Sequence, residues 1–171
     1  MPSSYVRGRF LNLYLNYITS RWGVLGYNSC LKETGLQKYG KIEESTSYPV
    51  SCLFEIISWI NREKSPEHVL NAGKYVALTM LQKSPEKDVK KAIQKLAYTL
   101  TELFDYAHIS VHMEEHSAKF YVGNINVGEE CCHTWIGFLK GVGEHTNHNL
   151  NVKETECQSK NGKFCCFEVT W

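Results

Sequence analysis

Hydrophobic positions recur at helical spacing through the first hundred residues, and after Asp105 the period shortens to two. Tyr5, Phe10, Leu11, Tyr14, Leu15 and Ile18 predict a helix from Ser4 to about Trp22. Gly23 and Gly26 punctuate the chain before a short helix from Tyr27 to Glu33, which Gly35 closes. Residues 36–46 are polar and predict a loop. Ser47-Tyr48-Pro49 predicts the opening of a helix, because proline is tolerated where its missing N–H costs nothing. That helix has Val50, Leu53, Phe54, Ile57 and Ile60 as its buried stripe. Ser65-Pro66-Glu67 and Ser84-Pro85-Glu86 predict two further helix starts, each with a capping hydroxyl, a preset φ and an acid near the positive helix end.

The alternating part begins with Ile109, Val111 and Met113 between His108, Ser110 and His112, a half-buried strand with Lys119 to Val122 as its hairpin partner. In that strand His108 and His112 share the polar face and His116 falls in the turn, so the three histidines read as solvated. A helix resumes from Glu130 to about Glu144, with Trp135, Phe138, Leu139 and Val142 buried. Gly137 and Gly141 lie four apart on one face, where another backbone or a ligand can come close. The chain ends in a hairpin running from Val152 to a tight turn at Asn161-Gly162, with Phe164 to Trp171 returning. The pattern predicts one α+β domain over residues 1–171: an antiparallel β-sheet packed by helices, with a helical N-terminal half and a C-terminal β-hairpin.

Composition narrows this picture. At 171 residues a single domain buries roughly 70% of its unfolded surface, so no metal or disulfide is needed merely to fold. A formal charge of +1 with no basic run gives no footprint for nucleic acid. No segment offers the roughly 20 apolar residues of a membrane span, and the N-terminus lacks a signal-peptide layout. A cytoplasmic location is therefore expected, and there the seven cysteines are read as thiols.

Five of those cysteines fall between Cys131 and Trp171. A two-residue turn at Asn161-Gly162 sets Cys157 opposite Cys166, and one more turn residue sets it diagonal to Cys165. A third thiol, from Cys131 or Cys132, can approach from the glycine helix. Glu154 points away from Cys157 in a flat strand and joins them only through a bulge or twist. Three thiolates and a carboxylate suit a tetrahedral ion such as zinc; buried thiols or a redox pair are the other readings of the same residues.

The string from Cys132 through Gly137 and Gly141, then Glu154-x-x-Cys157 and Cys165-x-Phe167, resembles the 4-vinyl-reductase domain family. The resemblance implies a fold shared with haem nitric-oxide sensors and vesicle-tethering TRAPP subunits. It also implies a zinc held by Cys132, Glu154, Cys157 and Cys165, with Cys131 and Cys166 left open as substitutes. The propionate signature of the haem sensors, Tyr-x-Ser-x-Arg, is replaced by Phe120-Tyr121-Val122-Gly123-Asn124. No haem is expected on that ground.

The function expected is a sensor or regulatory module for a hydrophobic or aromatic ligand, with Trp59, Tyr75, Phe104, Tyr106 and Trp135 lining its pocket. No phosphate loop, dinucleotide fingerprint or nucleophile-base-acid set is present, so the chain reads as a non-enzyme. The alternatives are an accessory protein of tetrapyrrole metabolism and a dimeric tethering module. A homodimer and a downstream protein partner are expected, because no effector region is evident.

Overall fold

The computed structural model of the chain describes residues 4–105, 107–125 and 128–171. Its first strand, β1 (Tyr5–Arg7), pairs antiparallel with β2 (Ser47–Pro49), Val6 opposite Tyr48. This pairing corrects two expectations: the first helix begins at Gly8 instead of Ser4, and Ser47-Tyr48-Pro49 is strand instead of helix start. The physical reason lies in the polar segment before β2. Its carbonyls accept from the helix's first amides, Gly8 N to Thr46 O at 2.8 Å and Arg9 N to Glu44 O at 3.1 Å. Donors that an N-cap side chain would otherwise satisfy are thus taken by backbone. Helix α1 (Gly8–Glu33) is broken at Gly23, whose φ of 64° lies in the left-handed region, so the two predicted helices are one kinked element.

Three helices follow: α2 (Ser51–Glu63), α3 (Pro66–Leu81) and α4 (Val89–Leu103). Ser65 caps α3 as expected, its hydroxyl accepting from His68 N at 3.4 Å. The start expected at Ser84-Pro85-Glu86 is displaced: Asp88 is the cap of α4, accepting from Lys91 N at 2.9 Å. An aspartate already in place to take an N3 amide outcompetes the earlier serine.

Strands β3 (His108–Met113) and β4 (Ser117–Gly123), helix α5 (Glu130–Thr146) and strands β5 (Asn151–Glu156) and β6 (Cys165–Thr170) complete the chain. The sheet is antiparallel in the order β3-β4-β6-β5, and its helix-facing side carries Phe120, Val122, Phe167 and Val169. The fold class is the α+β arrangement read from the pattern. In the terminal hairpin Asn161 takes a φ of 68°, but a 3-10 turn from Gln158 to Lys160 lengthens the connection beyond the expected tight turn.

Helices α3 and α5 pack backbone against backbone. A Cβ on Gly137 would stand far inside contact of the Leu70 carbonyl, and one on Gly73 would strike that of Thr134. The helical glycine pair thus serves packing on a neighbouring helix.

Candidate functional site

The N-terminal turn of α5 faces two places at once. Cys132 points to the β5–β6 hairpin, while Cys131 lines an interior cavity, so the doubled cysteine divides between two environments.

On the hairpin side, one donor atom each from Cys132, Glu154, Cys157 and Cys165 lies within 4.8 Å of every other. The strand register explains this. Val152 opposes Val169 and Glu154 opposes Phe167, both on the helix-facing side, whereas Glu156 opposes Cys166 after a register shift between Glu154 and Glu156. The bulge inserts one residue and reverses the alternation, so Glu154 and Cys157 face the same way. The same register puts Cys166 opposite Tyr121, on the side away from the helices, and Cys165 opposite Val122 on the inner side. Both registers considered for a tight turn fail, because Cys157 lies just beyond the paired residues.

The sulfur of Cys132 is 3.4 Å from that of Cys157 and 4.0 Å from that of Cys165. Cys157 Sγ also meets Ser159 Oγ at 2.9 Å, and the Gln158 amide donates to Cys165 Sγ at 3.4 Å. These contacts divide the protons unevenly. The Cys132 thiol donating to it, helped by the Gln158 amide, pulls Cys165 down to about 7, while the same pairing and burial push Cys132 up. One oxygen of Glu154 is buried without a hydrogen-bond partner. Buried polar atoms are almost always satisfied, and three sulfurs with an orphaned carboxylate oxygen at this spacing have the donor types that a tetrahedral metal site uses.

On the other side of α5 is a small, partly open cavity of about 10 Å³. Its walls include Phe10 and Tyr14 of α1, Phe54 of α2, Phe104 after α4, and Trp135 and Phe138 of α5. Edge-to-face aromatic contacts knit this wall: Phe10 with Phe104 at 5.3 Å and Trp135 with Phe138 at 5.2 Å between ring centroids. The polar groups are few. Tyr14 donates to Thr134 Oγ1 at 3.3 Å, and its burial raises the phenol far above its usual range. The Cys131 thiol is raised by burial, and the Trp135 indole N–H, one turn along the same helix, is buried without an acceptor.

Of the ligand-lining residues read from sequence, Phe104 and Trp135 stand at this cavity. Trp59 and Tyr75 belong to a separate aromatic cluster, where Trp59 packs on Trp22 at 6.1 Å and Tyr75 on Tyr17 at 5.6 Å. Tyr106 lies outside the described residues. Tyr14, Thr134 and Cys131 were missed: Tyr14 sits in a helical stripe that reads as ordinary core, and Cys131 was weighed only as an alternative metal ligand. The three histidines read as solvated, His108, His112 and His116, are exposed.

No protein family is matched by the sequence, and no curated protein is similar to it. Solved structures do share its fold. A triple mutant of an H-NOX protein from S. oneidensis in the Fe(II) ligation state is 14% identical, with a TM-score of 0.77 over 96% of this chain and 95% of that one. The Fe(II) unliganded H-NOX protein from K. algicida is 12% identical, with a TM-score of 0.72 over 96% and 95%. A structure titled for haem distortion in the H-NOX family gives 10% and 0.72 over 96% and 94%.

These findings correct the sequence reading twice. The resemblance to 4-vinyl-reductase domains is overturned: the fold is that of H-NOX proteins and nothing found supports the other family. The short string of cysteines and glycines at matching spacing has a local cause instead: Gly137 and Gly141 are where α5 packs on α3. The expectation of no haem is overturned too, since titles of chains sharing this fold name haem, and the zinc implied by the abandoned resemblance loses that support. The missing Tyr-x-Ser-x-Arg string was a test of one local motif, not of the fold.

Proposed function

We propose that the chain is a small-molecule sensor module whose ligand chamber is the aromatic-walled interior beside α5. The observation that carries this reading is the cavity itself, walled by α1, α2 and α5 in a fold whose solved examples include an Fe(II)NO ligation state and haem distortion in H-NOX proteins. The lining is apolar and aromatic with a few buried polar groups, the usual make-up of a small-molecule site.

Haem is the first ligand class to test. The chamber as it stands does not fit it: about 10 Å³ is space for roughly one water, whereas ligand pockets measure about 300–1,000 Å³, and among the described residues no histidine, lysine or arginine is in its wall. Haem would enter only if these walls part, and Phe54 of α2 is the one half-buried residue among them. The test is titration of the purified chain with haem, followed by protein-bound absorbance and tryptophan quenching. Saturation at one per chain supports the reading; absorbance that never departs from free haem contradicts it.

A second reading concerns the hairpin cluster, favoured by the four donor atoms and the orphaned Glu154 oxygen. We propose that Cys132, Glu154, Cys157 and Cys165 hold one thiophilic divalent ion. Such a site would tie the C-terminal hairpin to the start of α5, the same turn that lines the chamber. Metal content of protein purified without added metal should be one ion per chain. Cys157→Ser should lose the ion and lower the melting temperature; a metal-free wild type that also fails to take up Co²⁺ contradicts this reading.

A further inference from the structure

The four donors of the proposed metal centre differ in what lies beyond them. Cys132 and Cys165 are closed off by protein, at 3% and 2% exposure. Glu154 and Cys157 also line a surface cleft of about 360 Å³, with Lys160, Asn161 and Gly162 across from them. That volume is at the lower end for a small-molecule site. The centre thus has an inner, sulfur-only side and an outer side where its one oxygen donor meets the cleft.

Glu154 is the donor easiest to exchange. Thiophilic ions prefer sulfur to carboxylate oxygen, and a carboxylate on a long side chain turns away more readily than a thiolate on a helix or tight turn. Among the described residues, the one cation lining the cleft is Lys160, whose Nζ pairs with Glu129 Oε1 at 2.6 Å, and the carboxylates of Glu154 and Glu156 share the cleft with it. The nearby Glu156 carboxylate is occupied, accepting from Lys163 N at 2.8 Å.

We propose that this cleft binds a small-molecule thiol, which exchanges with Glu154 as the fourth ligand of the bound ion. The proposal rests on the metal reading above. In the exchange the metal–oxygen bond to Glu154 breaks and a metal–sulfur bond forms. The thiol proton passes first to the freed carboxylate and then to solvent, and no electron is transferred. The product is a four-sulfur centre with Lys160 beside the new ligand. The chain would then report the presence of a soft thiolate by changing what holds the hairpin to α5.

The test uses the Co²⁺-loaded chain, whose thiolate-to-metal charge-transfer band counts sulfur ligands, and 2-mercaptoethanol as the probe. Measurement is made on protein retained after ultrafiltration, so that cobalt stripped by the thiol is not counted. The expected result is a saturable rise of the band by roughly a third, four thiolates replacing three. Saturation should come at lower thiol concentration in Glu154→Gln, which removes the competing anion. It should come at about two- to five-fold higher concentration in Lys160→Ala, the range of an exposed charge contact. Cobalt bound at one per chain with a band indifferent to thiol in wild type and Glu154→Gln overturns the proposal and leaves the metal reading intact. Failure to bind cobalt overturns both.

Discussion

At the scale of single residues, small differences in neighbours decide what each cysteine does. Cys165, with a thiol and an amide donating to it, is held at about 7 against an ordinary value of 9.0. A group depressed in the folded state adds stability above its unfolded value, and that contribution fades as pH falls through the folded value. In the metal-free chain, the melting-temperature gap between wild type and Cys165→Ala should therefore narrow as pH is lowered from about 9 through about 7. A gap that stays constant would mean that Cys165 is not a thiolate there. Gly137 gives a second prediction. Its absent side chain is where the Leu70 carbonyl and the Lys74 amide pass, and backbone on both sides leaves nothing to rotate away. Gly137→Ala should cost about 1–3 kcal/mol or more by overpacking, read from denaturant unfolding, and an unchanged midpoint would contradict the helix seam. The sequence showed that Cys131 and Cys132 were alternatives; which one faced the hairpin depends on the rotation of α5, which adjacent positions of the same type cannot report.

At the scale of elements, periodicity carried the helices and the strands, and local chemistry decided their ends. The stripe of α5 falls where the pattern put it, because an apolar face that must be buried leaves its spacing in the chain, whereas in α2 Leu53, Ile57 and Ile60 are buried as read but Cys52, Ile56 and Trp59 are buried with them and Val50 and Phe54 only half-buried. The ends moved where two caps competed or a distant strand intervened. Ser84 and Asp88 both look like caps, and only the observed bond to Lys91 N separates them. Asp88→Ala should destabilise by about 1 kcal/mol, and Ser84→Ala, whose hydroxyl accepts only from Glu86 N at 3.3 Å, by less. Thermal unfolding of the two variants decides, and the reverse order would return the helix start to Ser84. The β1–β2 pair was not legible at all, since three-residue strands joined across forty positions leave no period to detect. The bulge between Glu154 and Glu156 was legible only as a requirement: the carboxylate could not meet Cys157 without one, and the register supplies it.

At the scale of the whole molecule, α5 joins the two candidate sites. Its first turn carries Cys131 into the interior and Cys132 into the hairpin cluster, and Ser58 of α2 donates to Glu130 at 2.7 Å at the same turn. The fold class could be read from the chain, but its likeness to the H-NOX structures could not, because those chains are only 10–14% identical to it. Whether the proposed ligand chamber opens beside Phe54 is decided by haem titration of wild type alongside Phe54→Ala. Saturation at one haem per chain is expected in the wild type, reached faster and at lower concentration when the Phe54 side chain is removed from the wall. Absence of saturable binding in both proteins, with Phe54→Ala folded by circular dichroism, would contradict it.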